Sequence, residues 1–474
     1  MAAILERAQT QHPAQERHTA IARDIATFAE ALRLEDVPAA VLQRAKLHVL
    51  DAVGIAFASS TFDFAKRSLA ALASLGEGVE PVLAHRQRLA VRDAMCLNGI
   101  LIHGLDYDDT HMAGVTHVTA SALPLALGIA AQRHLSGADL LLGYLLAVEV
   151  SARLGAVAQG GFHEVGFHPT GVVGAFGCAV AAARLEGLSV DGTVLAQGLA
   201  GSMAAGSMEF LETGDWNKRL HPGWAASCGL TAARFAREGF ASPESVYEGR
   251  FGLFASFLAG RHTYDLALAT RGLGDTWELL NVGLKPYPAC HFVHAFADAV
   301  LHLREHEGLR AEDVASISCL IAQGEVGTVC EPWENKLHPT SDYDAKFSLP
   351  FVVAASLVRG RFSLAELRPD ALADPDILNL TSRVSYAPDP DSAFPSYYSG
   401  EVVVQTRDGR TLRRREQMNR GTNERPLSAA EIERKFLDNM SLAVNRATAS
   451  RVRDAILSLE QCPNARDLAE LMAV

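Results

Sequence analysis

Three stretches of this chain leave little choice about what it can fold into. SALPLALGIAAQRH from Ser121, SGADLLLGYLLAVEVSARLG from Ser136 and TGVVGAFGCAVAAARLEG from Thr170 are apolar on nearly every face. A helix of that kind offers no side to water, so other helices must bury it. The alanines and glycines in these stretches allow close approach of neighbouring axes. Upstream, Val41, Ala45, Val49 and Val53 recur every four residues, with Gln43, Arg44, Lys46 and Asp51 largely off that stripe. That spacing predicts an amphipathic helix, with Asp36 as its cap and Pro38 in its first turn.

The texture changes near Thr276. VASISCLIA from Val314 alternates like a strand. EVVVQTRDGRTLRRRE reads as two strands joined at Asp408-Gly409, a hairpin signal. Between them lie the helix-like DAKFSLPFVVAASLVRG and a capping box from Ser363 to Glu366. A second capping box, Ser428 to Glu431, opens a return to helices. The expected fold is mainly α. It has a large all-helical domain from residues 1–272 and 426–474, and residues 273–425 form a smaller inserted α+β lid domain. At 474 residues there is ample chain for a large core.

Charge and cysteines narrow the function. Lys plus Arg is 43 against 55 for Asp plus Glu, a net charge of −12. The one basic run, RTLRRRE around Arg413, falls in the expected hairpin, so no nucleic-acid partner is expected. The seven cysteines are widely spaced and form no CxxC, which fits a reducing cytoplasm better than disulfides or a zinc finger. The start, MAAILERAQTQHPAQERH, lacks the apolar stretch of a signal peptide. The longest apolar run, LLLGYLLAV from Leu140, stops after nine residues at Glu149, far short of the roughly 20 that cross a bilayer. No membrane partner is expected.

Polar chemistry sits inside the apolar text. HGLDYDDTHMAGVTH, His103 to His117, holds three histidines and three aspartates. GFHEVGFHPTG from Gly161, GDWNKRLHPGWAA from Gly214, KPYPACHFVHA from Lys285 and SDYDAKF from Ser341 are similar islands. Together they supply aspartate, histidine and lysine, but no GxSxG and no P-loop. Such a set suits proton transfer beside an anionic substrate: histidine titrates near neutrality, and cations stabilise an enolate-like transition state. Plainer roles stay open. His103 can be a structural helix-end histidine, Asp108 or Asp109 a cap, His163 a surface group, His221 a helix-terminus group and Cys290 a packing residue. GVVGAFG lacks the strand and spacing of a nucleotide fingerprint and reads as a helix packing face. The Asp and His of the first island could bind a divalent metal, without HExxH spacing. DYDDT is similar to the DxDDT acid motif of class II terpene cyclases, yet 7% aromatic content is poor provision for carbocations.

In order, HGLDYDDTH, GFHPTGVVGAFG, NKRLHPGWAA, KPYPACHFVHA and DYDAKFSLPF resemble the motifs of the MmgE/PrpD family. That family includes 2-methylcitrate dehydratase, cis-aconitate decarboxylase and iminodisuccinate epimerase. The resemblance spans about Ile21 to Ser428. It implies a helical domain made from both chain ends, an α+β lid, a homodimer, and catalysis with no metal and no organic cofactor. Carried over motif by motif, Asp106, His117, His168 and Lys218 would be catalytic. Thr110, Lys285, His291 and His294 would bind substrate, with His291 and His294 competing for one role. Two departures matter. Phe351 stands where the decarboxylase has a tyrosine, which counts against decarboxylation, and the loop from Thr110 to His117 is one residue longer.

The leading expectation is a hydro-lyase like 2-methylcitrate dehydratase, abstracting a proton next to a carboxylate of a small di- or tricarboxylate. An epimerase or decarboxylase of a related acid, a metal-dependent hydrolase and a non-catalytic binder of organic acids are the alternatives.

Overall fold

The computed structural model describes residues 20–474 apart from 214 and 395; the stretch read above for a signal peptide, residues 1–18, lies outside them. The fold is mainly α. The helices that build the site are numbered here α1 to α10.

Helix α1 (Ala39–Ser59) buries Val41, Ala45, Val49 and Val53, as their spacing requires. Its start differs from the expectation. Pro38 holds the N-cap position and makes no side-chain cap, while Asp36 closes a short 3-10 turn, Leu34–Asp36. Asp36 is two residues outside the cap position, too far out to reach the first free amides. Lys46 and Asp51 are buried as well, each against an opposite charge from the C-terminal part of the chain: Glu460 at 2.8 Å and Lys435 at 2.8 Å.

The apolar stretches become α3 (Thr119–Gln132), α4 (Gly137–Val157) and α5 (Pro169–Glu186), packed on one another and on α2 (Val91–His103) and α6 (Asn217–Arg237). By length and composition α4 is apolar enough to cross a membrane, yet 94% of its apolar window is buried inside the bundle. Small residues set the spacing. A Cβ on Gly177 of GVVGAFG would lie 2.4 Å from the Ala147 carbonyl oxygen of α4, so this motif is a helix packing face. A Cβ on Gly99 of α2 would lie 2.5 Å from the Cα of Gly223 in α6.

A short antiparallel ribbon pairs β1 (Glu80–Val82) with β2 (His85–Leu89). Another pairs β3 (Asp109–His111) with β4 (Val282–Leu284). The latter ties the loop after α2 to the segment that carries Lys285. Beyond it, α7 (His294–His306) packs on a four-stranded sheet ordered β6-β5-β7-β8. Its strands are β5 (Val314–Ile321), β6 (Val384–Pro388), β7 (Gly400–Thr406) and β8 (Thr411–Glu416). The β7–β8 hairpin turns at Gly409, whose φ of +88° suits glycine. Two helices sit beside the sheet segment, α8 (Asp342–Lys346) and α9 (Leu349–Arg359). The capping boxes at Ser363–Glu366 and Ser428–Glu431 both form. The second opens α10 (Ala429–Met440), which returns to pack on α1.

The α2–α6 contact yields a test. Gly223→Ala places a methyl 2.1 Å from the Cys96 carbonyl oxygen, a backbone atom that no rotamer change can move. Overpacking costs about 1–3 kcal/mol against a helix-propensity gain of about 1 kcal/mol. The expected outcome is a lower melting temperature with unchanged helical circular dichroism; an equally stable variant would contradict this packing.

Candidate active site

The site begins where α2 stops. A helix leaves its last carbonyls without intrahelical partners, and they carry partial negative charge. Here four consecutive carbonyls just past α2 each take a cation from a different part of the chain. Arg219 Nε donates to Gly104 O at 2.7 Å. Lys346 Nζ donates to Leu105 O at 2.8 Å. Lys285 Nζ donates to Asp106 O at 2.9 Å, and Lys435 Nζ to Tyr107 O at 2.8 Å. Within this clamp Asp106 adopts a left-handed φ of +53°, a region aspartate tolerates better than most residues. Its carboxylate meets Lys218 Nζ at 2.7 Å and Lys285 Nζ at 3.2 Å. Burial pushes the Asp106 carboxyl up, but the two ammonium groups outweigh it and hold it well below the usual range.

Three histidines face one another beside this ion cluster. Ring centroids are 4.7 Å apart for His103 and His117, 5.5 Å for His103 and His168, and 5.8 Å for His117 and His168. Each has one nitrogen engaged. His117 Nδ1 lies 2.6 Å from the Asp109 carbonyl oxygen and 3.3 Å from Thr110 Oγ1. A carbonyl only accepts, so Nδ1 carries the proton and Nε2 keeps the lone pair. Burial first, with His103, Lys218 and Lys285 adding to it against Asp108, pushes His117 down to about 3. His103 Nδ1 lies 2.8 Å from Asp108 Oδ2. Burial raises Asp108, yet His103 and His117 bring it to about 2. His168 stands just before α5, its Nδ1 3.0 Å from His221 Nδ1. Burial and then Lys218 hold His168 well below the ordinary value.

His291 and His294 lie on the Lys285 side. Their rings are 4.8 Å apart, and His294 Nε2 donates to the Ala289 carbonyl at 3.1 Å. Burial, then Lys285, brings His294 to about 3. The other His294 nitrogen, Nδ1, and His291 Nε2 are buried without a partner among the described residues.

The structure therefore joins Asp106, Lys218 and Lys285 directly, sets Thr110, His117 and His168 beside them, and leaves His291 and His294 at the edge. His163 is exposed. Asp109 has a structural part: it accepts from the Thr119 amide at the start of α3 at 3.3 Å and pairs with His48 at 3.0 Å. Sequence reasoning missed others. His103 and Asp108, read above as a helix end and a cap, form a buried pair inside the cluster. His221 is the partner of His168. Arg219, Lys346 and Lys435 complete the clamp. The HGLDYDD island held a signal for the first pair. Lys435 had none, since it lies 328 residues from Tyr107.

One ring nitrogen from each of His103, His117 and His168 lies within 4.8 Å of the other two. Their outer nitrogens are held by Asp108, the Asp109 carbonyl and His221, which is how metal-binding imidazoles are oriented. The donor set could hold a divalent ion such as zinc. Without one, it sets the neutral imidazoles of His117 and His168 beside the Lys218 and Lys285 ammonium groups, an arrangement able to take a proton from carbon next to a carboxylate.

The imidazole of His117 gives a direct readout. An ordinary histidine titrates near 6.5. With its value depressed to about 3, His117 is neutral above that pH and charges only below it. Its ring nitrogen NMR signals should stay constant from pH 8 to pH 5; a midpoint near 6.5 would refute the burial and tautomer assigned here.

Two family models and several curated proteins match this chain. The model for the MmgE/PrpD N-terminal domain matches residues 23–265, and that for the MmgE/PrpD C-terminal domain matches residues 287–461. Cis-aconitate decarboxylase of Homo sapiens is 29% identical over 469 residues, covering 95% of this chain and 94% of that protein. The Aspergillus terreus enzyme of the same name is 26% identical, covering 95% and 96%. A cis-aconitate decarboxylase-like protein of Aspergillus oryzae is 26% identical, covering 96% and 97%. Matched in order by both domain models across most of its length, the chain belongs to the MmgE/PrpD family.

Proposed function

We propose that this protein is a lyase that abstracts a proton from carbon next to a carboxylate of a di- or tricarboxylate. The observation that carries the reading is a neutral His117, its Nδ1 fixed on the Asp109 carbonyl, beside two lysines, Lys285 buried and Lys218 half-buried, that share the Asp106 carboxylate. His117 Nε2 takes the proton. The electron pair passes into an enolate, whose charge Lys218 and Lys285 offset. The proton taken by His117 then passes, directly or through His168, to a departing β-hydroxyl. The product is an alkene and water, as for a 2-methylcitrate dehydratase-like hydro-lyase, and no step is routed through a metal or organic cofactor.

Two other outcomes are open to this site. Return of the proton to the opposite face, after the same first step, would give epimerisation. Loss of carbon dioxide, with protonation of the carbanion it leaves, would instead give a decarboxylase, the activity in the names of the curated relatives. Phe351 is fully buried in α9 and brings no hydroxyl to that step, so dehydration is the first assignment. A metal-dependent hydrolase rests on the His103–His117–His168 cluster alone. Inductively coupled plasma analysis of purified protein, with a chelator control, separates it: a stoichiometric ion needed for turnover would replace the lyase reading.

Lys285 and Lys346 come from residues 273–425, and the groups they bond, Asp106 and the Leu105 carbonyl, come from the helical part. This supports the proposal that residues 273–425 act as a lid over residues 1–272 and 426–474. A homodimer is also proposed. Trp216 just before α6, with Leu220 and Trp224 within it, repeats every four residues and is 45%, 42% and 47% exposed, while Lys218 and His221 of the same helix serve the site. So large an apolar stripe is a candidate contact for a second copy. All seven cysteines are free, which supports the proposed cytoplasmic setting.

The activity test is incubation with a panel of di- and tricarboxylates in deuterium oxide, read by proton NMR. Solvent deuterium in substrate and alkene formation are expected; their absence for every acid would end the lyase reading. Lys218→Ala should lower turnover by about 10²-fold or more with an unchanged melting curve, whereas near-normal turnover would remove Lys218 from the site. Trp224→Glu should halve the mass measured by light scattering; an unchanged mass would place any dimer contact elsewhere.

A further inference from the structure

The island SDYDAKF has so far supplied only a member of the clamp. Its lysine is unusual. Lys346 is 0% exposed, and its hydrogen bond goes to a neutral carbonyl, Leu105 O at 2.8 Å. The nearest carboxylate among the described residues, Asp342 Oδ2, is 3.8 Å away, beyond hydrogen-bond reach, and its side chain is one-third exposed. A buried ammonium without a close counter-ion is costly, and packing alone would be served better by methionine or leucine. The location of the accepting carbonyl supplies a reason. Leu105 C=O belongs to the peptide plane that precedes the Asp106 Cα, and Asp106 C=O, held by Lys285 at 2.9 Å, belongs to the plane that follows it. Orienting both planes fixes φ and ψ of Asp106, and with them the direction of its carboxylate toward Lys218.

We infer that Lys346 is a positioning residue for Asp106, acting through the Leu105 carbonyl. Its importance for turnover rests on the lyase reading above; its hold on Asp106 does not. Burial lowers the Lys346 ammonium to about 8. The charged groups that face it are Asp342 of its own helix, Arg219 of α6, Asp106 of the loop and Lys285 beyond β4. Below about pH 8 the ammonium is charged and the loop is held. As pH rises through that value the amine becomes a weaker donor and the hold loosens. A loss of activity above about pH 8 is thereby expected to come from a residue that does not touch substrate.

The test is a double-mutant cycle with an orthogonal structural readout. Lys346→Met, which keeps bulk and loses charge, should lower kcat/KM by about 10- to 100-fold, the scale of a small misplacement of a reacting group. In an Asp106→Asn background the same change should cost nothing further, because the residue through which it acts is already lost. The alkaline limb near pH 8 should disappear in Lys346→Met. Additive losses, or an unchanged limb, would overturn the inference. A wild-type protein inactive on every acid would sink the lyase reading instead. The crystal structure of Lys346→Met then decides: Asp106 should leave its left-handed conformation and lose Lys218, and an unmoved Asp106 would overturn the proposal. If the methionine variant does not fold, Lys346→Gln, whose amide can still donate to Leu105 O, should keep the Asp106 geometry and lack the limb. A limb retained in that variant would count against Lys346.

Discussion

The site depends on one interaction: four cations on four successive carbonyls, Gly104 to Tyr107. No local preference of the sequence Gly-Leu-Asp-Tyr would hold that loop with an aspartate in the left-handed region. The hold comes from Arg219, Lys346, Lys285 and Lys435, which belong to segments far apart in the chain. Lys435 does most to unite them. Besides Tyr107 O it reaches Asp51 and the Lys285 carbonyl, so α10, α1 and the strand segment meet at one ammonium. Buried ions contribute little net stability, because desolvation offsets attraction, but removing one partner leaves an uncompensated charge. The clamp is therefore better understood as fixing one geometry than as strengthening the fold.

That geometry divides the charge. Asp106 and Asp108 stay ionised because cations or imidazoles face them, although burial opposes it. Asp109 is raised to about 7, because burial and Asp108 outweigh the Thr119 hydrogen bonds and His103. His117, His168, His221 and His294 are all lowered, chiefly by burial. Bases are thus neutral at neutral pH while lysines beside them remain available to an anion. Separation of this kind lets one site both accept a proton from carbon and hold the charge left behind.

Much of this was legible in the sequence, for reasons that differ by residue. The buried helices followed from the absence of any polar face in SALPLALGIAA and its neighbours, and the β7–β8 hairpin followed from Asp408-Gly409. Asp106, His117, His168 and Lys218 stood out because polar groups were placed in apolar text. The Asp36 cap failed because Pro38 took the position next to the helix. His103 was undervalued because a lone histidine at a helix end looks structural until Asp108 is seen to bond it. Lys435 was illegible in a stronger sense, since it lies in unremarkable helical text. Lys346 sits in the island SDYDAKF, but each lysine acquires its role only when tertiary packing brings it to a carbonyl hundreds of residues away.

The most direct measurement is a crystal structure with an unreactive tricarboxylate, such as tricarballylate, bound. The account predicts a carboxylate within hydrogen-bond distance of Lys218 and Lys285, with a substrate C–H directed at His117 Nε2. A ligand bound elsewhere, or seated here with His103, His117 and His168 all turned away from it, would contradict the account.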